Sequence, residues 1–141
     1  GGDREEMKQV LDKCLHLLLR GQHLLIFPEG GRTRTGRVDT ENFSYGVVRF
    51  LEGGEMGGVM CLYLRGDHQE RYSNMPKWEE NFTCLIETLE INKNGQRGLR
   101  AQRQYKEQIV RRLAAMEEQY FSGCRERCRG FEASGCLEEK P

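Results

Sequence analysis

Over residues 102–121, apolar side chains recur at spacings of three and four: Tyr105, Ile109, Val110, Leu113, Met116, Tyr120 and Phe121. That period predicts one amphipathic helix, with Lys106, Arg111, Glu117 and Glu118 assigned to the opposite side. Such a stripe is stable in water only when it lies on another apolar surface. The rest of the chain must therefore supply that surface from short apolar runs.

Three runs qualify. Residues 23–27 are continuously apolar after His23 and end at Pro28, which reads as a buried strand too short to be a helix beside Gly21. Residues 59–64 follow the turn "EGGEMGG" and read as a second buried strand. Residues 82–91 suit either strand or helix, and the shared phase of Thr83, Leu85, Glu87, Leu89 and Ile91 favours strand by β-propensity. Upstream, Met7, Val10, Leu11, Cys14, Leu15 and Leu18 form one helical face over residues 3–20, with Asp3, Glu5 and Glu6 in the first turn and Gly21 as its stop. A short helix is expected over residues 45–51. Helix, strand, helix, strand predicts an α/β class, a mixed sheet covered by helices. Residues 1–121 form the folded unit and 122–141, poor in large apolar residues, a disordered tail.

At 141 residues the chain has the length of one domain. It opens on Gly1 rather than Met, which suggests that an N-terminal portion is missing and the domain incomplete. Lysine plus arginine equals aspartate plus glutamate at 22 each, so any electrostatic preference for nucleic acid or anionic membrane must be local. The longest apolar runs fall far short of the roughly 20 residues of a membrane-spanning helix. Cys14, Cys61 and Cys84 sit in apolar segments, as free thiols do in a reducing compartment. Cys124, Cys128 and Cys136 lack a C-x-x-C pair and a nearby His, so no metal site is expected.

The candidate site is the turn after residues 23–27, "PEGGRTRTGRV". Glycines there allow backbone N–H groups to converge on an anion, and Arg32, Arg34 and Arg37 carry planar donors matched to phosphate oxygens. A solvated basic loop is the alternative. The spacing of Gly31 and Gly36 is that of a nucleotide P-loop, but Arg37 stands where its Lys belongs and Val38 where its Ser or Thr belongs.

The string Phe27-Pro28-Glu29-Gly30-Gly31-Arg32-Thr33 resembles the F-P-E-G-T-R-S block of the phospholipid/glycerol acyltransferase family (1-acylglycerol-3-phosphate acyltransferase-like), with Gly31 in place of Thr and Thr33 in place of Ser. The resemblance implies that Glu29, Gly30, Gly31, Arg32 and Thr33 contact the acyl acceptor. Arg34, and Arg4 as a remnant of an earlier block, are possible phosphate contacts. Residues 59–66 look like the family's later V-P-V strand with Cys61 at the Pro position. A glycerol phosphate or lysophospholipid acceptor, acyl-CoA or acyl-carrier protein as donor, no cofactor, and a place on the cytoplasmic face of a membrane, peripheral or anchored by missing N-terminal residues, are further implications.

The family's catalytic His and Asp occur as H-x-x-x-x-D, a base oriented by a carboxylate. Five residues beyond His16, His23 and His68 stand Gly21, Pro28 and Ser73, so no catalytic residue is assigned and the chain alone is expected to be inactive. His16 and His23 read as a helix-face and a strand-edge residue. His68, beside Asp67, Glu70 and Arg65, reads as a surface residue. Two rivals stand beside the acyltransferase reading: a noncatalytic lipid-phosphate-binding module, and a nucleotide or nucleic-acid binding domain using Arg32, Arg34, Arg37 and Tyr45, whose binding would weaken steeply with salt. The helix over 102–121 is expected to pack on the sheet rather than on a bilayer, because Glu117 and Glu118 suit anionic lipid poorly.

Overall fold

A computed structural model describes residues 2–31, 36–52, 58–68, 75 and 78–127. Its elements run α1 (Gly2–Leu19), α2 (Gly46–Glu52), β1 (Gly58–Gly66), β2 (Phe82–Glu90) and α3 (Gly98–Arg127). The class is mixed α and β, as the alternation of apolar periods predicts. The sheet itself is different from the expected mixed one: β1 and β2 form a two-stranded antiparallel pair. Where the two strands adjoin their connection, Asp67 N–H donates to the Asn81 carbonyl at 2.8 Å, which continues the antiparallel pairing one step beyond Gly66 and Phe82.

The register places Val59, Cys61, Tyr63 and Arg65 opposite Leu89, Glu87, Leu85 and Thr83. This face is covered by α3, whose Tyr105, Ile109, Leu113, Met116, Tyr120 and Phe121 are all buried. The strand phase read for residues 82–91 is therefore the one observed; α3 packs on the sheet as expected, and on α2 as well. Phe43, Val48 and Leu51 complete the core. On the other face Met60, Leu62, Leu64 and Ile86 remain exposed, so β1 is buried on one side only. Two predicted solvent-side residues of α3 turn inward: Glu117 and Lys106 both bond to the segment before α2.

Helix ends follow local chemistry. The α1 helix stops where Gly21 takes φ +80°, with Gly21 N–H to the Leu18 carbonyl at 2.9 Å and Gln22 N–H to the Leu17 carbonyl at 3.0 Å. These bonds satisfy carbonyls that the helix leaves without partners. The first turn of α3 contains no acidic residue, and the acid comes from outside: Glu52 accepts the Gly98 N–H with one oxygen and the Gln102 side-chain amide at 2.6 Å with the other. A carboxylate there also suits the positive end of the helix dipole. The helix continues past Phe121 to Arg127, and residues 128–141 lie outside the described ones.

Residues 23–27 do not form the expected strand. They are irregular, with Leu25 75% and Phe27 74% exposed. A strand needs a neighbour to satisfy its backbone and an opposing surface for its side chains, and no described strand pairs with residues 23–27. The α1 stripe is also less buried than its spacing suggests: Leu11, Cys14, Leu15 and Leu18 are half-buried while Met7 and Val10 are exposed. Among the described residues no helix is long and apolar enough to cross a membrane.

Candidate functional site

The candidate loop begins in a turn. Pro28 follows Phe27, and Gly30 N–H donates to the Phe27 carbonyl at 3.1 Å, the bond of a four-residue turn with Pro at its second position. Gly30 has φ +69°, a conformation in which a Cβ costs about 1–2 kcal/mol. Gly31 has no such need. A Cβ there meets nothing within 4 Å, so the Thr of the commoner motif would fit. Arg32, Thr33 and Arg34, assigned to acceptor and phosphate, lie outside the described residues. Arg4 falls in the first turn of α1, with its side chain also outside them.

Glu29 is tied to the far end of the loop. Its Oε2 accepts the Asp39 N–H at 3.2 Å. Burial pushes its carboxyl above the ordinary value of 4.5, the Asp39 N–H pulls it down, and the carboxylates of Asp39 and Glu117 push it up again. Glu29 thus ties the start of the loop to the segment that returns from it. Beside it, Ser44 N–H donates to the Pro28 carbonyl at 2.7 Å. Asp39 caps the following turn, accepting the N–H groups of Glu41 at 3.0 Å and Asn42 at 2.9 Å and the Asn42 side chain at 2.8 Å. These bonds, those of Asn42 foremost, hold its carboxyl below the ordinary range.

The outgoing limb of the loop is held by residues distant in sequence. Glu117 Oε1 of α3 accepts the Val38 N–H at 3.0 Å. Arg65 of β1 donates to the Gly36 carbonyl and lies 4.9 Å from the centroid of the Phe121 ring. Arg37, one of the three arginines read as phosphate donors, has its guanidinium carbon 3.8 Å from the same centroid, a cation–π contact that aims it at α3. Tyr45, offered to the nucleic-acid reading, has the Lys106 ammonium 4.8 Å from its ring centroid.

Sequence reasoning missed Glu117 and the loop contact of Arg65. Glu117 was legible in principle, since it lies four residues after Leu113 and three before Tyr120 and therefore on the apolar stripe. Its charge alone sent it to the solvent side. Arg65 carried a similar signal through alternation with the inward Cys61 and Tyr63.

The histidines lie elsewhere. His16 is an exposed position on α1 and His23 an exposed one outside any strand. A shallow open depression over Asp12, Lys13, His16 and Leu17 involves α1 alone, and one helix face does not enclose a ligand. His68 does have a carboxylate partner: its Nδ1 lies 3.4 Å from Glu80 Oε1, which also accepts its N–H at 2.7 Å. The adjacent Asp67 Oδ1 accepts from the Thr83 hydroxyl at 2.8 Å and the Tyr120 hydroxyl at 3.0 Å. These contacts fasten the β1–β2 turn to α3. Cys61, at the position likened to the family's Pro, is buried in β1 and its thiol is pushed up by that burial.

Residues 2–57 match the family model described as Acyltransferase. No curated protein and no solved structure matches the chain. The family match takes in α1, the turn at Glu29 and Gly30, and α2, and it ends before β1. Over residues 2–57 the chain is thus similar to the acyltransferase family, a likeness consistent with a phospholipid/glycerol acyltransferase domain.

Proposed function

We propose that the loop opening at Glu29 is the acceptor- and phosphate-binding part of an acyltransferase that moves a fatty acyl group from acyl-CoA or acyl-carrier protein to lysophosphatidic acid or a related glycerophospholipid. The observation that carries the reading is the family match across a Gly-rich turn whose two ends are closed by Glu29 on Asp39. A loop whose ends are tied together loses less freedom when it binds, which lowers the ordering cost. On this reading Arg32 is the bidentate phosphate partner and Gly30 supplies the backbone conformation that brings it there. With no H-x-x-x-x-D pair in it, the chain by itself supplies the acceptor site and not the base. On this reading its product and acceptor are amphiphiles, so the loop would work at a membrane surface, and the family resemblance makes that the cytoplasmic face.

Titration of glycerol 3-phosphate into the full chain, followed by the amide NMR signals of Glu29, Gly30 and Gly31, tests the proposal. Saturable shifts that exceed those with equal sulfate, and that Arg32→Ala weakens at least roughly ten-fold as expected for a lost charged pair, support it. Equal responses to both anions make the loop a general basic turn and overturn it. Thiol release from acyl-CoA in the presence of lysophosphatidic acid should stay at the uncatalysed rate, and turnover by the chain alone would refute the assignment of the base elsewhere.

A further inference from the structure

We propose that Glu117 and Arg65 are positioning residues for the loop that opens at Glu29, and that this loop takes its working shape only when α3 and β1 hold its outgoing limb. The inference rests on the acceptor-site reading of that loop. It concerns residues that lie beyond the stretch matching the family model, which ends at 57.

Three contacts converge within four residues of chain. Arg65 fixes the carbonyl of Gly36, Phe121 underlies the guanidinium of Arg37 at 3.8 Å, and Glu117 accepts the N–H of Val38 at 3.0 Å. The next amide, that of Asp39, goes to Glu29. Two carboxylates, one from the start of the loop and one from α3, thus bind consecutive N–H groups of the returning backbone. This fixes the course of the backbone at Val38 and Asp39. Backbone held through charged hydrogen bonds resists local opening more than a loop bonded only to water.

Arg65 and Glu117 are themselves held. Arg65 alternates inward with Tyr63 on β1, pairs with Thr83 in register, and has its guanidinium 5.7 Å from the Tyr120 centroid and 4.9 Å from that of Phe121. Glu117 follows the fully buried Met116 and stands one turn before Tyr120 and Phe121 on the covered face of α3. Packing of α3 on the sheet therefore sets where both groups reach the loop, and the core transmits its rigidity to a segment that contributes little to it. Exposed Glu118, next in the chain, serves as an internal control.

The test is amide hydrogen exchange on the full chain with glycerol 3-phosphate titration of the same variants. Glu117→Ala should accelerate exchange at Val38 and Asp39 roughly ten-fold, the effect of losing one charged hydrogen bond, beyond any change at Tyr105 and Ile109, which report global opening. Glycerol 3-phosphate affinity should fall by a similar factor. Glu117→Gln, which keeps an acceptor oxygen, should restore most of both. Arg65→Lys should loosen Gly36 and Arg37 while retaining charge, and Glu118→Ala should change neither readout. Exchange at 36–39 that is unaltered, or that rises only in step with Ile109, overturns the proposal, as does a loosened loop that binds as well as the original. Should the unsubstituted chain ignore glycerol 3-phosphate, the proposed function fails, while the exchange arm still judges the positioning role by itself.

Discussion

The N-terminal part of the chain and its β1–β2–α3 part divide two tasks unequally. Through residue 42 no described side chain belongs to the buried core, and α1 and the segment after it leave Met7, Val10, Leu25 and Phe27 exposed. From Phe43 onward lie all thirteen buried apolar residues among the described ones. Yet the family match falls on residues 2–57, so the stretch that looks most like an enzyme carries little of the core, and the stretch that carries most of it lies outside the match. A binding loop can be drawn from the less stable end of a fold provided that rigid elements position it. Here Glu117 and Arg65 form the connection between the two.

The sharpest way to break this comparison is a pair of truncations. Met116 is fully buried on α3, and Met116→Ala should cost about 2–5 kcal/mol from lost burial and the cavity left behind. Leu25→Ala removes as many non-hydrogen atoms from the exposed segment and should cost no more than about 0.5 kcal/mol. Urea unfolding of both variants measures this; a comparable loss at Leu25 would mean that the N-terminal part is packed after all.

A smaller effect is expected inside the loop. Gly30→Ala forces a side chain into φ +69° and should destabilise by about 1–2 kcal/mol. Gly31→Thr, restoring the commoner residue, enters open space and should stay within about 0.5 kcal/mol. Thermal melts read both, and a Gly31 variant as damaging as the Gly30 one would show that Gly31 is fixed by something other than room for a side chain.

The smallest effect is a change of slope with pH. Glu29 has a folded-state carboxyl above its ordinary 4.5, burial being the first cause. A group raised in this sense favours the fold while protonated; that contribution is complete below about pH 4.5 and is lost as pH climbs through the folded value. Glu29→Gln keeps a carbonyl for the Asp39 N–H and cannot ionise. Its stability relative to the unsubstituted chain should therefore rise as pH moves from 4 toward neutrality, which denaturant titrations at several pH values would show. A falling difference would mean that the ionised carboxylate's bond to Asp39 outweighs its desolvation, and would strengthen the case for Glu29 as the loop's own latch.

Much of the secondary structure was legible because it depends on local period. The α3 stripe, the strand phase of residues 82–91, the α2 segment and the Gly21 stop follow from spacing and from backbone freedom at one glycine. The loop at Glu29 stood out as a motif of Glu, Gly and Arg, and the stretch that matches the family model includes it. What went unread depends on neighbours. Residues 23–27 have the composition of a buried strand, but a strand exists only with a partner, and no local pattern says whether one will come to lie beside that run.

Glu117 marks the boundary between the two kinds of information. Its position on the apolar stripe was determined by the sequence, through the 3.6-residue turn that places it between Leu113 and Tyr120. That its carboxylate meets the Val38 N–H, across 79 positions of chain, was decided by the tertiary structure alone. A charged group on a core-facing stripe is stable only where a donor awaits it, and the donor's arrival depends on how α3, the sheet and the loop pack together.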